Sequence, residues 1–207
     1  MTTLRLDDLK QYSDTLRTRN GDAVAVRFVE PRDAEPLQAY FRSLTTRSRY
    51  NRFLGAMREL PPTLLDHFIH VGEAEQFSAV ATMMFEGYET IVGEVRYAFL
   101  AETSSIEFGL SVDDRWQGHG IGKALLKNLE CRAASFGAER IFGDTLRANE
   151  QMIALARKAG YAFAQSPGDW KLVRFEKAIE LEPRDIPCAS WKIAALSRQS
   201  AIPPLAG

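Results

Sequence analysis

The 207-residue chain predicts a mixed α/β fold that is not a regular doubly wound sheet. Three observations carry that expectation. Strand and helix patterns follow one another from residue 23 in the order β-α-α-β-β-β-α-β-α-β-β, with strand directions that must be mixed. One glycine-rich turn, Gln117-Gly118-His119-Gly120-Ile121-Gly122, joins a strand pattern to an amphipathic helix pattern. A hydrophobic content of 45% against 26% charged residues is that of a globular protein with a sizeable core.

Taken in order, residues 1–22 are polar and charged and read as an N-terminal arm, or a short docking helix through Leu4, Leu6 and Leu9. The main domain spans 23–178. Ala23 to Val29 alternates as a first strand and stops at Glu30-Pro31. Asp33 can cap a helix that buries Leu37, Tyr40, Phe41 and Leu44. Thr45 to Gly55 is rich in arginine. It reads either as a solvated loop with Tyr50, Phe53 and Leu54 turned inward, or as one wall of an acceptor site offering Arg47, Arg49 and Arg52. Pro61-Pro62 opens a helix with Leu64, Leu65 and Phe68 inward. Residues 76–85 and 90–99 form an antiparallel pair around Glu86-Gly87-Tyr88-Glu89. After the turn at Ala101 to Ser104, Ile106 to Val112 alternates as a strand. Ile121, Leu125, Leu126, Leu129 and Phe136 then recur at helical spacing. Arg140 to Leu146 is a further strand. Asn149 caps a helix that ends at Gly160, and two short strands close the domain around Ser166 to Asp169. Residues 179–207, with four prolines and Trp191, read as a tail.

Several function classes are disfavoured. The net charge of -1, with no basic stripe interleaved with aromatics, offers nothing to nucleic acid. No apolar run is long enough for a bilayer, and Met1 to Asp8 lacks the plan of a signal peptide. Cys131 and Cys188 are too few for a disulfide framework, and no Cys/His cluster has zinc spacing. His67 and His70, three apart without a carboxylate partner in the pattern, fit a helix C-terminus better than a metal. A cytoplasmic, metal-independent protein is expected, as a monomer or a homodimer.

The glycine turn is the chemical signal. Glycines let a backbone bring its N–H groups close to a ligand, and the first N–H groups of a helix attract phosphate. Two common phosphate loops do not fit. Gln117 stands where a Walker A loop needs glycine, with Ala124 where Ser or Thr should hold magnesium. Lys123 stands where a dinucleotide loop needs its third glycine. Gln117 to Gly122 instead resembles the Arg/Gln-x-x-Gly-x-Gly/Ala pyrophosphate loop of the GCN5-related N-acetyltransferases (GNAT). Asn149-x-x-Met152-x-x-Leu155-x-x-Lys158-x-Gly160-Tyr161 is similar to that family's second motif. Val26-Arg27 to Arg52-Phe53 is similar to the domains that acetylate lysines of bacterial metabolic enzymes.

The resemblance covers residues 24–176 and implies the GNAT fold: a mixed, mostly antiparallel sheet with helices on both faces and a splayed central strand pair. It implies acetyl-CoA as co-substrate. The pantetheine arm would lie against Leu110, Ser111 and Val112, and the pyrophosphate would take N–H groups from Gln117, Gly118, His119, Gly120, Ile121 and Gly122, with Lys123 beside them. Asn149 would bond to the coenzyme arm as well as cap its helix.

Acetyl transfer to an amine needs a neutral nucleophile, and a lysine amine has a pKa near ~10.4, so a base must take its proton. Alternation places Glu107, Gly109 and Ser111 on one strand face, with Gly109 leaving room for a ligand. Glu107 matches the family's catalytic glutamate and is the candidate general base. The family's tyrosine acid falls on Ala156 in this chain. Either no acid is used, or a water, or a hydroxyl such as Tyr161 or Ser111. The leading expectation is an N-acetyltransferase acting on a primary amine, protein lysine included. The alternatives are a small-molecule amine acetyltransferase and a non-catalytic acyl-CoA-binding regulatory module.

Overall fold

The computed structural model describes residues 13–18, 20–70, 76–135 and 137–180. The expectations placed on Leu4, Leu6, Leu9, Phe136, Trp191 and the proline-containing tail lie outside the described residues. Eight strands form one sheet: β1 (Asp14–Arg17), β2 (Ala23–Phe28), β3 (Gln76–Phe85), β4 (Tyr88–Leu100), β5 (Ser105–Val112), β6 (Arg140–Leu146), β7 (Ala162–Gln165) and β8 (Leu172–Ala178). Their order is β1-β2-β3-β4-β5-β6-β8-β7. Every neighbouring pair is antiparallel except β5 and β6. The helices are α1 (Ala34–Ser43), α2 (Thr46–Phe53), α3 (Pro62–Ile69), α4 (Ile121–Ser135) and α5 (Glu150–Lys158).

Helices cover both faces, as expected. On one face, an added Cβ at Gly93 of β4 would meet Leu125 of α4, so that glycine lets helix and sheet close up. Leu125, Leu126 and Leu129 are buried there with Ile106 and Val95. On the other face Tyr40 of α1 reaches Ser111 of β5 at 2.9 Å, and α3 buries Phe68. Burying apolar stripes on both sides of a central sheet is the main stabilising term of such a fold.

Four expectations are corrected. The sheet begins at Asp14, inside the segment expected as an arm. Asp14 is buried, where its carboxylate accepts from Asn128 Nδ2 (2.7 Å) and Arg132 Nη2 (3.4 Å) of α4. A strand anchored by a charge shows no apolar alternation, so its pattern was silent. The arginine-rich segment is a helix, α2, with no buried residue; Tyr50 and Leu54 are 46% and 42% exposed, and only Phe53 packs on the core. The β3–β4 turn is two residues, Glu86-Gly87, both at positive φ as a type I′ hairpin turn requires. Gly122 lies in the first turn of α4 and not in the loop before it; a Cβ there would come within 3.2 Å of Leu155 Cδ2, so it also lets α4 pack closely on α5 while lining the cleft.

Candidate active site

The site is created by a splay. β5 and β6 pair in parallel over three positions only, Ser105, Ile106 and Glu107 with Arg140, Ile141 and Phe142. Beyond Glu107, β5 continues against β4 alone, and β6 continues against β8 alone. From Phe108 to Val112 one edge of β5 therefore has no partner strand among the described residues. An open edge offers alternating N–H and C=O groups to an extended, amide-bearing ligand. Leu110, Ser111 and Val112 line a cleft of about 810 Å³ that also reaches Gln117, Gly118, Gly120, Gly122, Lys123, Asn149, Met152 and Leu155.

The glycine turn closes one end of this cleft. Gly118 and Gly120 adopt φ of 82° and 92°, which side chains rarely tolerate, and carry the chain from β5 into α4. The Gln117 side chain donates to the Val112 carbonyl (3.1 Å), pinning the turn to the end of β5. Ile121 is core, so only its backbone can face a ligand. His119 turns its Nδ1 to the Gln117 carbonyl (3.0 Å) and packs on Trp116, outside the cleft lining. Lys123 is exposed in the first turn of α4 and lines the cleft, and Lys127 and Lys158 join it. Backbone N–H groups at a helix start, glycines at positive φ and three lysines form a cradle that fits a phosphate ester.

The face of β5 that carries Glu107, Gly109 and Ser111 differs from its reading in sequence. Glu107 is exposed and is not itself among the residues that line the cleft; it lies beside Arg174, whose guanidinium is pushed up first by its hydrogen bond to Asp144 and further by the Glu107 charge. The space beside Gly109 is filled by Arg52: a Cβ there would lie 2.6 Å from Arg52 Nη1. Arg52 in turn donates from Nε and Nη2 to the buried carboxylate of Glu94 (2.6 and 3.1 Å). Ser111 Oγ donates to Glu94 Oε1 (2.6 Å), so in the adjoining 2.9 Å contact the Tyr40 hydroxyl is the donor to Ser111. Burial and the neighbouring Glu94 charge push the Tyr40 phenol well above its usual range.

The remaining expected residues sort by what they touch. Asn149 caps α5 by accepting from Met152 N (3.3 Å), donates to Thr145 Oγ1 (2.9 Å), and still lines the cleft. Arg49 donates to the carbonyls of Arg42 and Leu44 at the end of α1, and Arg47 is exposed outside the cleft lining. Of the three arginines only Arg52 reaches the cleft. Ala156 is fully buried. Of the hydroxyls considered as an acid, that of Tyr161 is buried and outside the cleft lining. Burial and the nearby Glu130 charge also push it up. Ser111 lines the cleft with its hydroxyl donating to Glu94. His70 ends α3 and pairs with Asp66, and the described residues contain no cluster that could hold a metal.

Sequence reasoning missed Glu94, Tyr40, Asp113 and Asp114. Asp113 is buried, accepts from Arg115 and Ser43, and its carboxyl is raised by burial but held below the usual range overall by those bonds. Asp114 accepts from Thr45 N, Thr45 Oγ1 and Ser48 Oγ (2.8, 3.1 and 2.7 Å). The only signal for either was the acidic pair just upstream of the glycine turn.

Residues 38–161 match the model of the acetyltransferase (GNAT) family. An acetyltransferase of Pseudomonas aeruginosa, PA5475, is 27% identical over 150 residues, which is 72% of this chain and 81% of that protein. The crystal structure of the GNAT domain of S. lividans PAT superposes with a TM-score of 0.74 at 26% identity, over 80% of this chain and 96% of that one. A cAMP-binding acyltransferase from Mycobacterium smegmatis shares the fold at a TM-score of 0.58 and 21% identity, over 93% of this chain and 58% of that one.

Proposed function

Because the chain belongs to the acetyltransferase (GNAT) family, we propose that it moves an acetyl group from acetyl-CoA to a primary amine, carried by a protein lysine or a small molecule. The observation that carries this reading is the unpaired β5 edge running into the glycine turn within one cleft. The pantetheine amides extend the sheet at Leu110 to Val112, and the pyrophosphate sits on the N–H groups between Gln117 and Gly122. Acetyl-CoA supplies a thioester activated for acyl transfer.

Glu107 stands where β5 and β6 part, exposed to water, and takes the proton of the acceptor ammonium. The amine nitrogen attacks the thioester carbon, the C–S bond breaks with its electron pair on sulfur, and the amine proton passes through Glu107 to solvent. A thiolate whose parent thiol has a pKa near ~8.5 leaves without a side-chain acid. That agrees with Ala156, with the Ser111 bond to Glu94 and with the burial of the Tyr161 hydroxyl. Glu107→Gln is expected to lower kcat about 10²–10⁴-fold, as loss of a general base does, with acetyl-CoA affinity retained. Near-normal turnover at saturating acceptor removes Glu107 from the mechanism.

The same lack of an acid favours a second reading, an acyl-CoA-binding regulatory module. Thermal unfolding with CoA, acetyl-CoA and longer acyl-CoAs tests what both readings share. Ligand at 100 times its dissociation constant should add about 2.7 kcal/mol of stability. Release of CoA with a panel of amines then selects the enzyme, and tight binding with no release selects the module. No thermal shift at millimolar coenzyme removes both.

A further inference from the structure

We infer that Arg52 makes the reacting end of the cleft a recognition site for a carboxylate, carried by one of the two reactants. The inference rests on the coenzyme reading above and adds a substrate class to it. A guanidinium has five N–H donors. Arg52 spends Nε and one Nη2 hydrogen on Glu94, a side-on pair that leaves the N–H groups of the Nη1–Nη2 end without a hydrogen-bond partner among the described residues. Nη1 hydrogen-bonds to none of the described residues. The side chain is 12% exposed and lines the cleft with Leu110, Ser111 and Val112.

The group is rigidly presented. It lies over Gly109, where any side chain would displace it, and its central carbon is 4.8 Å from the Phe53 ring centroid. An arginine already locked in place loses little freedom on accepting a planar, two-oxygen partner, and the end edge of the fork matches a carboxylate.

The local charge agrees. Arg96 of β4 lies directly opposite Gly109 in the strand register, and among the described residues its side chain hydrogen-bonds to the neutral Gln76 amide. Its guanidinium is pushed down by burial first and then by the Arg52 charge. Among the described residues, two half-buried cations, Arg52 and Arg96, thus act on one buried carboxylate, Glu94, and only Arg52 is paired with it. The next carboxylate on that face is Glu107, two residues along β5, beside Arg174 and assigned to the amine. An amine at Glu107 and a carboxylate at Arg52 suit an amino-acid-like acceptor. A carboxylate at Arg52 with the thioester at β5 suits a dicarboxylic acyl group.

Two arms separate these sources. Dissociation constants of CoA, acetyl-CoA, malonyl-CoA and succinyl-CoA, measured calorimetrically, address the acyl group. CoA release with α-amino acids against their carboxamides addresses the acceptor. A preference of tenfold or more for the carboxylated member is expected in one arm. It should fall to near unity in Arg52→Gln/Glu94→Gln, which removes the buried pair together. It should also fall in Gly109→Ala, which keeps both charges but pushes Nη1 out of place. Near-unity ratios in both arms of the unmodified protein, or a preference that survives both variants, overturn the inference while leaving the coenzyme reading intact. Failure of CoA and acetyl-CoA themselves to bind removes the coenzyme reading and this inference with it.

Discussion

The two helices that border the cleft, α4 and α2, are held to the same sheet by opposite means. Helix α4 buries Ile121, Leu125, Leu126 and Leu129 in the core and spans fifteen residues. Helix α2 buries no residue, and beyond Phe53 it is docked by polar bonds. Its N-terminal end is held by Asp114, and Arg52 near its other end by Glu94. The α4 side of the cleft is thus built on apolar area, which is insensitive to direction. The α2 side is built on a few directional contacts, each of which can be removed singly. Asp113 and Asp114, which tether the ends of α1 and α2, sit in the loop that leads into the glycine turn.

The largest expected effect tests the apolar half. Leu126→Ala removes a fully buried side chain of α4 and should cost about 2–5 kcal/mol, seen as a lower urea midpoint for the whole domain. A loss below about 1 kcal/mol would mean that α4 is not packed as described. Asp114→Ala comes next. It removes the acceptor for Thr45 N and two hydroxyls, a capping contact worth about 1–2 kcal/mol. Amide exchange should speed up through α2 while α4 keeps its protection, and equal loss in both helices would erase the contrast. The smallest effect is one of pH. Asp33, raised by burial but lowered overall by Arg27 and the Glu30 N–H, and Asp113 both sit below the ordinary carboxylate pKa in the folded chain. Their contribution is therefore complete above the unfolded value of about 3.9 and is lost as pH falls through the lower folded values. Urea midpoints should fall on acidification below about pH 4, less steeply in Asp113→Asn. An identical slope in that variant would show that Asp113 is not depressed.

The same contrast explains what could be read in advance. Strands β2 to β6 and helices α1 and α4 follow apolar periodicity, and the glycine turn carries its own backbone requirement at Gly118 and Gly120. Helix α2 buries no residue and has no apolar stripe to read, so its sequence reads as a loop. Strand β1 is anchored by Asp14, a residue that sequence reasoning places in solvent. In sequence Gly109 reads as space for a ligand, and in the fold that space holds Arg52. The arginine cluster dissolves into three separate tasks: Arg47 is exposed, Arg49 closes α1, and Arg52 lines the cleft.

By itself the sequence determined the family, the mixed sheet with helices on both faces, the glycine turn between β5 and α4, and the face of β5 that carries Glu107. Each of these depends on residues near in sequence, whose spacing or backbone needs are local. Tertiary structure alone decided that β5 and β6 part after three pairs, that Glu94 binds Arg52 across 42 residues, and that Tyr40 meets Ser111 across 71. Those are pairings of polar groups between distant elements. A buried charge or hydroxyl must find a partner, but nothing in its own neighbourhood says which one.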